Sequence, residues 1–314
     1  MNSPDSTDQA IEIKDLGREF GDFWAVRQVN FSVSRGEIFG LVGPDGAGKT
    51  TVMRMAAGVL LPSEGDILVD GYSVISDPET VKKRIGYMSQ RFGLYGDLTV
   101  LENLRFYGDL YEIPNKTRAA EEEKLLGFSY LTPFKDRKAK DLSGGMKQKL
   151  GLACSLIHRP SVLLLDEPTN GVDPVSRRDF WKILHEMIKE GVTVFVSTSY
   201  LDEAERCERV GMMQDGKLTM CDNPRELKKT ISGSILEIKT DDPGKTLQAL
   251  KERYGKMTSD IVSGVIRFRL PRTSSLEKIK NEMKNMGLAD FSINEARPTL
   301  EDVFVNQAMK ADVQ

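Results

Sequence analysis

The stretch Gly43-Pro44-Asp45-Gly46-Ala47-Gly48-Lys49-Thr50 satisfies G-x-x-x-x-G-K-[ST] at every fixed position. These residue types make a phosphate cradle. Glycines let backbone N–H groups approach phosphate oxygens, and a following helix N-terminus adds partial positive charge. In such a loop Lys49 reaches the β- and γ-phosphates of a nucleotide and Thr50 ligates Mg²⁺, with Thr51 next on the same first turn. A second pair able to do chemistry is Asp166-Glu167, at the end of the apolar run Val162–Leu165. There Asp166 can hold Mg²⁺, directly or through water. Glu167 can polarise an attacking water if it comes within hydrogen-bond reach. A third device is Leu142-Ser143-Gly144-Gly145-Met146-Lys147-Gln148, where two glycines open another helix N-terminus. One nucleotide has no evident need for two cradles in one chain. This one is therefore expected to close on a nucleotide held by another subunit. Standing alone, it would read as a plain Ser-capped helix.

The elements that must position these groups follow from pattern. Ile38–Val42 is a continuous apolar run and predicts a buried strand before the loop, and the run from Thr50 to Ala57 predicts a helix after it. Strands are also expected at Ile11–Asp15 and Val29–Val33, with Phe20, Phe23 and Trp24 between them. An aromatic beside a phosphate loop could stack on a base, whereas Phe23 and Trp24 are expected to fill the sheet core. Gly65–Val69 with Asp70-Gly71 suggests a small antiparallel excursion, and Ile85–Ser89 a strand ending at Gln90. Thr99-Val100-Leu101-Glu102 is a capping box, and Leu101, Leu104, Tyr107 and Tyr111 give the following helix an apolar face. A charged helical insert from Asn115 to Lys140 precedes the Ser143 helix. Asp173-Pro174 caps a long helix ending at Gly191, and Val192, Val194 and Val196 run into Ser197-Thr198-Ser199. A short helix over Leu201–Cys207 and a hairpin about Asp215-Gly216 follow.

The composition changes near residue 231, so the expected organisation is a tail over 1–10, a nucleotide domain over 11–230 and an accessory domain over 231–314. The last of these reads as βαββαβ, a small α+β sandwich, with a helix capped by Ser274 whose apolar face is Leu276, Ile279, Met283 and Met286. The 314 residues suit about two domains. A net charge of -3 argues against a nucleic-acid binder driven by bulk positive charge. Cys154, Cys207 and Cys221 read as reduced, mostly buried thiols of a cytosolic protein. The polar N-terminus lacks the pattern of a signal peptide, and no apolar run approaches a membrane span, so a membrane role must pass through a partner.

Taken in order, the motifs resemble those of the nucleotide-binding domain of ABC ATPases over residues 11–225: Walker A at 43–50, Q-loop Gln90, signature 142–148, Walker B at 162–167 and a D-loop around Asp173. The resemblance implies a P-loop NTPase α/β fold with an antiparallel β subdomain and an α-helical subdomain, binding ATP and Mg²⁺. It implies that Phe20 stacks on adenine and that Gln90 links Mg²⁺ to a transmembrane partner. Ser143 and Gly145 would contact a γ-phosphate across a head-to-tail dimer. Leu142–Leu150, Tyr200–Glu205 and Pro298–Phe304 are similar to ATP-binding subunits of ABC-2-type exporters, including drug-efflux systems.

The partners so implied are an integral-membrane permease and a second ATP-binding subunit, identical or different, on the cytoplasmic face of the inner membrane. One position departs from the family. Ser199 stands where the family has a switch histidine, and neither His158 nor His185 follows that strand. Both histidines read as structural or surface residues. Two rival readings are a soluble ABC ATPase acting on ribosomes or chromosomes and a nucleotide-gated regulatory module with weak hydrolysis. The first usually brings a second cassette or a long coiled coil, and neither is in this chain.

Overall fold

The computed structural model describes residues 8–254, 259–262, 264–270, 276–285 and 291–311. The chain divides into two compact units between Asp222 and Asn223.

The first unit holds two sheets. Strands β1 (Gln9–Phe20) and β2 (Phe23–Ser34) pair antiparallel and extend into a four-stranded sheet through β4 (Glu64–Val69) and β5 (Tyr72–Ser73). Both long strands run through stretches expected to be irregular. Register shifts flank the Leu16–Val29 pair, and the Asn30 side chain closes the bulge by accepting from Asp15 N at 2.8 Å. The tail expected over 1–10 is shorter than predicted, because Gln9 and Ala10 already belong to β1 and Ala10 is fully buried. Residues 1–7 lie outside the described residues.

The second sheet has the order β10-β9-β3-β8-β7-β6. Strands β3 (Ile38–Val42), β6 (Ile85–Met88), β7 (Val162–Asp166), β8 (Thr193–Thr198) and β9 (Arg209–Gln214) run parallel, and β10 (Lys217–Asp222) is an antiparallel edge. Every residue of β3, β7 and β8 is buried, as strands covered on both faces must be. Phe31 of β2 stacks on Phe39 at 4.9 Å, and both meet Phe195 edge-on, which joins the two sheets in one core. Parallel register sets Val42 beside Thr198 and Asp166 beside Ser197. The phosphate loop, the Asp-Glu pair and Ser199 therefore leave the sheet along one edge, the carboxyl ends of its strands, where ligands of such folds bind.

Helix α1 (Lys49–Ala56) follows the loop, and α2 (Pro78–Arg84) precedes β6. Helices α3 (Val100–Leu110), α4 (Asn115–Phe128) and α5 (Gly144–Leu156) form the helical part, and α6 (Pro174–Lys189) and α7 (Leu201–Ala204) flank β8. The capping box at Thr99 forms, but the inward face of α3 differs from the expected one. Val100, Asn103, Leu104 and Gly108 are buried, while Leu101 and Tyr107 are half-buried and Tyr111 is exposed. The reason is Asn103, whose amide donates to the carbonyls of Tyr95, Leu98 and Thr99 and whose oxygen accepts from Tyr95 N. Fixing the preceding turn in this way rotates the helix. Helix α7 is also shorter than predicted, ending at Ala204.

His185 is exposed, whereas His158 is half-buried. Its Nε2 bonds the Ile85 carbonyl at 2.8 Å and its ring stacks on Tyr111 at 3.8 Å. Burial holds its pKa below the ordinary value, and the Ile85 carbonyl opposes this. The folded state thus binds the proton less well than the unfolded chain. The stability this contributes is complete above pH ~6.5 and is lost as pH falls from there through the folded pKa, at no more than about 1.4 kcal/mol per pH unit. Chemical denaturation between pH 7.5 and 5.5 should show this loss in the wild type, with the slope reduced in His158→Gln. Equal slopes would exclude His158 as the source.

The second unit contains α8 (Pro224–Lys229), β11 (Ile235–Thr240), α9 (Pro243–Tyr254), β12 (Ser259–Val262), β13 (Val265–Arg269), α10 (Leu276–Asn285), β14 (Phe291–Ala296) and α11 (Leu300–Ala311). The antiparallel order β12-β13-β11-β14 makes βαββαβ a ferredoxin-like split βαβ. Leu236, Ile238, Ile266 and Phe268 of the sheet pack on Leu250, Ile279 and Met283 of α9 and α10. Arg267 crosses to Asp302 of α11 at 2.9 Å. The expected cap Ser274 and the last apolar position Met286 lie outside the described residues.

Candidate functional site

The loop owes its path to two glycines that no other residue could replace without movement. A Cβ on Gly43 would lie 2.2 Å from the Met213 carbonyl oxygen. Gly48 has φ +101°, and a Cβ there would lie 2.5 Å from the Ala25 oxygen. Gly48 is the N-cap of α1 and supplies no side-chain cap, and the first turn carries no acidic residue. The N–H groups that open α1 are thus left without a side-chain acceptor, an arrangement suited to an anion.

Lys49 is buried. Its Nζ donates to the carbonyls of Gly43 (2.8 Å) and Pro44 (3.1 Å) and pairs with Glu167 Oε1 at 3.2 Å. Glu167 Oε2 accepts from Gln90 Nε2 at 3.2 Å and from Asn170 Nδ2 at 3.3 Å. Its backbone is left-handed, at φ 48°, and its N–H donates to Ser197 Oγ at 3.0 Å. Asp166 lies beneath, with Oδ1 accepting from Thr50 Oγ1 (3.0 Å) and Ser197 Oγ (2.7 Å). Burial pushes its carboxyl above the ordinary range, with the Ser197 and Thr50 hydrogen bonds opposing.

These groups face a cleft of about 450 Å³, the size of a small-molecule site. Its lining includes Phe20, Phe23, Ala25, Asp45, Gly46, Gly48, Lys49, Thr50, Thr51, Gln90, Glu167 and Asn170. Gly43, Pro44 and Ala47 shape the loop from behind. Phe20 is 47% exposed and carries the Arg18 guanidinium 4.6 Å over its ring. Phe23, expected in the core, is 63% exposed, and Trp24 is half-buried. The Gly21-Asp22 turn sets Phe20 opposite Phe23 at the sheet's rim, so both aromatics reach the cleft.

The structure leaves other predicted residues outside this cleft. Ser143 caps α5 by accepting from Met146 N at 3.3 Å, and Ser143 and Gly144 are exposed. Gly145 is packed so closely on α6 that a Cβ would lie 2.4 Å from Ser176. Asp173 caps α6, accepting from Val175 N and Ser176 N. Ser199, half-buried after β8, is not among the lining residues. Sequence reasoning passed over Asn170 and Ser197. Ser197 had a signal, since neighbouring parallel strands bring their last residues level. Asn170 had none, because its reach depends on the turn made by Glu167 and Gly171, both at positive φ.

An anion-ready helix terminus, a buried lysine and a strand-end Asp-Glu pair at the carboxyl edge of a parallel sheet define a P-loop nucleotide-binding protein. Residues 26–170 match the ABC transporter family. Over 298 residues the chain is 34% identical to the Nod factor export ATP-binding protein I of Rhizobium etli, covering 94% of this chain and 92% of that one. The chain therefore belongs to the ABC transporter ATP-binding proteins. It is 41% identical over 303 residues to the "Probable multidrug ABC transporter ATP-binding protein YbhF" of Escherichia coli K12, which covers 95% of this chain and 52% of that one. The chain thus spans about half the length of that relative. A dimeric structure of the ATP-binding cassette MJ0796, in a post-hydrolysis state bound to ADP and Pi, superposes with a TM-score of 0.61 at 26% identity, covering 68% of this chain and 98% of that one.

Proposed function

We propose that the chain binds and hydrolyses ATP to energise an ABC-2-type membrane exporter, working as one of two ATPase subunits that close on ATP and part after hydrolysis. The observation that carries this is the convergence of Lys49, Thr50, Asp166, Glu167 and Gln90 on one cleft behind an uncapped helix N-terminus. The names of the relatives support export, and the dimeric neighbour supports the paired form. No helix among the described residues is long and apolar enough to cross a membrane, so the permease is a separate chain or segment on whose cytoplasmic side this one sits.

The proposal gives each residue a role. Lys49, released from Glu167, binds the β- and γ-phosphates, while the first-turn N–H groups of α1 receive the remaining oxygens. Phe20 and Phe23 offer apolar faces to the base at the rim. The Thr50 hydroxyl and Asp166 carboxylate, 3.0 Å apart, are hard oxygen donors that suit Mg²⁺. When bound, that ion neutralises phosphate charge. Glu167 orients water, with its carboxylate steered by Gln90 and Asn170. Ser143, Gly144 and Asp173 are left facing outward, available to the partner subunit's nucleotide, with Gly145 buried behind them against α6. Tyr95, five residues past Gln90, is exposed and packs on Phe106 of α3, offering an apolar surface for the permease.

The test is membrane association. The tagged chain should sediment with membranes only when a neighbouring gene for a protein of about six spans is co-expressed. Co-sedimentation with ribosomes or chromosomal DNA would contradict the exporter reading.

A second reading, a nucleotide-gated module with slow hydrolysis, is favoured by one observation: Ser199 does not line the cleft. A serine hydroxyl is shorter than an imidazole and stays neutral. Losing one preorganised donor costs about 10²–10³ in rate as an upper range. Ser199→His should therefore raise steady-state turnover of the assembled transporter about tenfold or more. Unchanged turnover in Ser199→His, with Ser199→Ala alone impaired, would make the serine the working residue.

A further inference from the structure

Glu203 is a carboxylate with no role in the cleft, yet it is completely buried. It lies on α7, in a stretch whose acidic composition reads as surface. Its Oε1 accepts from Thr169 Oγ1 at 2.5 Å, and its Oε2 accepts from Thr198 Oγ1 at 2.9 Å. Arg177 Nε lies 3.4 Å from Oε1, completing a buried ion pair. The Arg177 guanidinium is held in turn by the face of Tyr200, 4.1 Å from the ring centroid. Thr198 Oγ1 also accepts from Tyr200 N at 3.0 Å.

Each partner belongs to a different segment of the reaction centre. Thr169 is two residues past Glu167. Thr198 is the last residue of β8, immediately before Ser199. Arg177 is on the first turns of α6, its N–H donating to the Asp173 carbonyl at 2.9 Å. One carboxylate thus ties together the loop that bears Glu167, the loop that bears Ser199 and the helix that Asp173 caps. A buried ion pair is a poor way to gain stability, because well-packed apolar side chains of similar volume often do better. What it supplies is fixed geometry, and here it fixes the two loops that flank the reacting phosphate.

We propose that Glu203 is a positioning residue for hydrolysis, setting the Glu167 and Ser199 loops in register through Thr169, Thr198 and Arg177. The proposal rests on the reading of the chain as an ATPase. It acts on geometry after binding, since neither Glu203 nor its partners line the nucleotide cleft. Loss of the strut therefore lowers kcat and leaves KM for ATP alone.

The experiment compares Glu203→Gln, Thr169→Val, Thr198→Val and Thr198→Ser in the full chain with its permease. Steady-state ATPase assays are combined with amide hydrogen exchange on the nucleotide-free protein. Glu203→Gln and both valine variants should lose about tenfold or more in kcat, with KM for ATP within about twofold, and Thr198→Ser should restore most of the rate. Exchange should quicken severalfold in both 167–173 and 197–202 when only one of the two threonines is changed. Should Glu203→Gln fail to fold, the two valine variants decide. Folded valine variants with wild-type kcat, or exchange quickened only beside the changed residue, would overturn the proposal. A wild-type protein with no ATPase activity would overturn the functional reading itself, and the proposal with it.

Discussion

Lys49→Ala should abolish tight ATP binding and lower hydrolysis by at least about 10²–10³, with the fold retained. Lys49 is the one cation among the residues lining the cleft, and it is buried at 3% exposure. A phosphate entering the loop meets its ammonium in a place where water screens little, so the charge is worth more there than on the surface. The fold should survive because the groups that Lys49 leaves keep other partners. Truncation removes a partner from Glu167, but its carboxylate keeps the Gln90 and Asn170 amides and stands at the edge of an open cleft. The carbonyls of Gly43 and Pro44 also lose a donor, the first on a buried residue and the second on an exposed one where water can replace it. Calorimetric titration with ATP and circular dichroism on the same sample check both halves. Wild-type affinity in a folded variant would remove the basis of the nucleotide reading.

Glu167→Gln should lower turnover by about 10²–10⁴ while leaving ATP bound, and should hold two subunits together. A carboxamide keeps the shape and still accepts from Gln90 or Asn170, but it cannot draw a proton from water. It also breaks the ion pair that engages Lys49 before ATP arrives. Binding should therefore be as tight as in the wild type, or tighter. On the proposed reading the residues over 142–148 contact a γ-phosphate, so closure should require ATP and weaken with ADP. Sedimentation velocity with Mg-ATP and with Mg-ADP checks this. A Glu167→Gln protein that stays monomeric in saturating Mg-ATP, with wild-type turnover, would sink both the role of Glu167 and the two-subunit sandwich.

Much of the site could be read from the chain because its chemistry is local. The loop from Gly43 to Thr50, the strand ending in Asp166 and the capping box at Thr99 are each set by residues within one turn or one strand. What escaped depends on distant segments. The core position of Phe23 was expected from its size, but the two-residue turn at Gly21-Asp22 turns it outward opposite Phe20. Asn103 is polar and fully buried, because four hydrogen bonds to the turn before α3 satisfy it. Glu203 looks like solvated surface until α7 folds it against Thr169 and Thr198. In each case a polar or aromatic residue owes its place to a partner that periodicity does not reveal.

The left-handed backbone at Glu167 has an evolutionary consequence. A residue with a Cβ held at φ 48° bears about 1–2 kcal/mol of conformational strain that glycine would not bear. The residue that the proposed reaction needs is therefore not the one the local backbone would choose. Selection for thermal robustness alone would drift this position toward glycine or asparagine and extinguish turnover. Glutamate at this position is therefore a choice of activity over stability, in the general trade-off between the two.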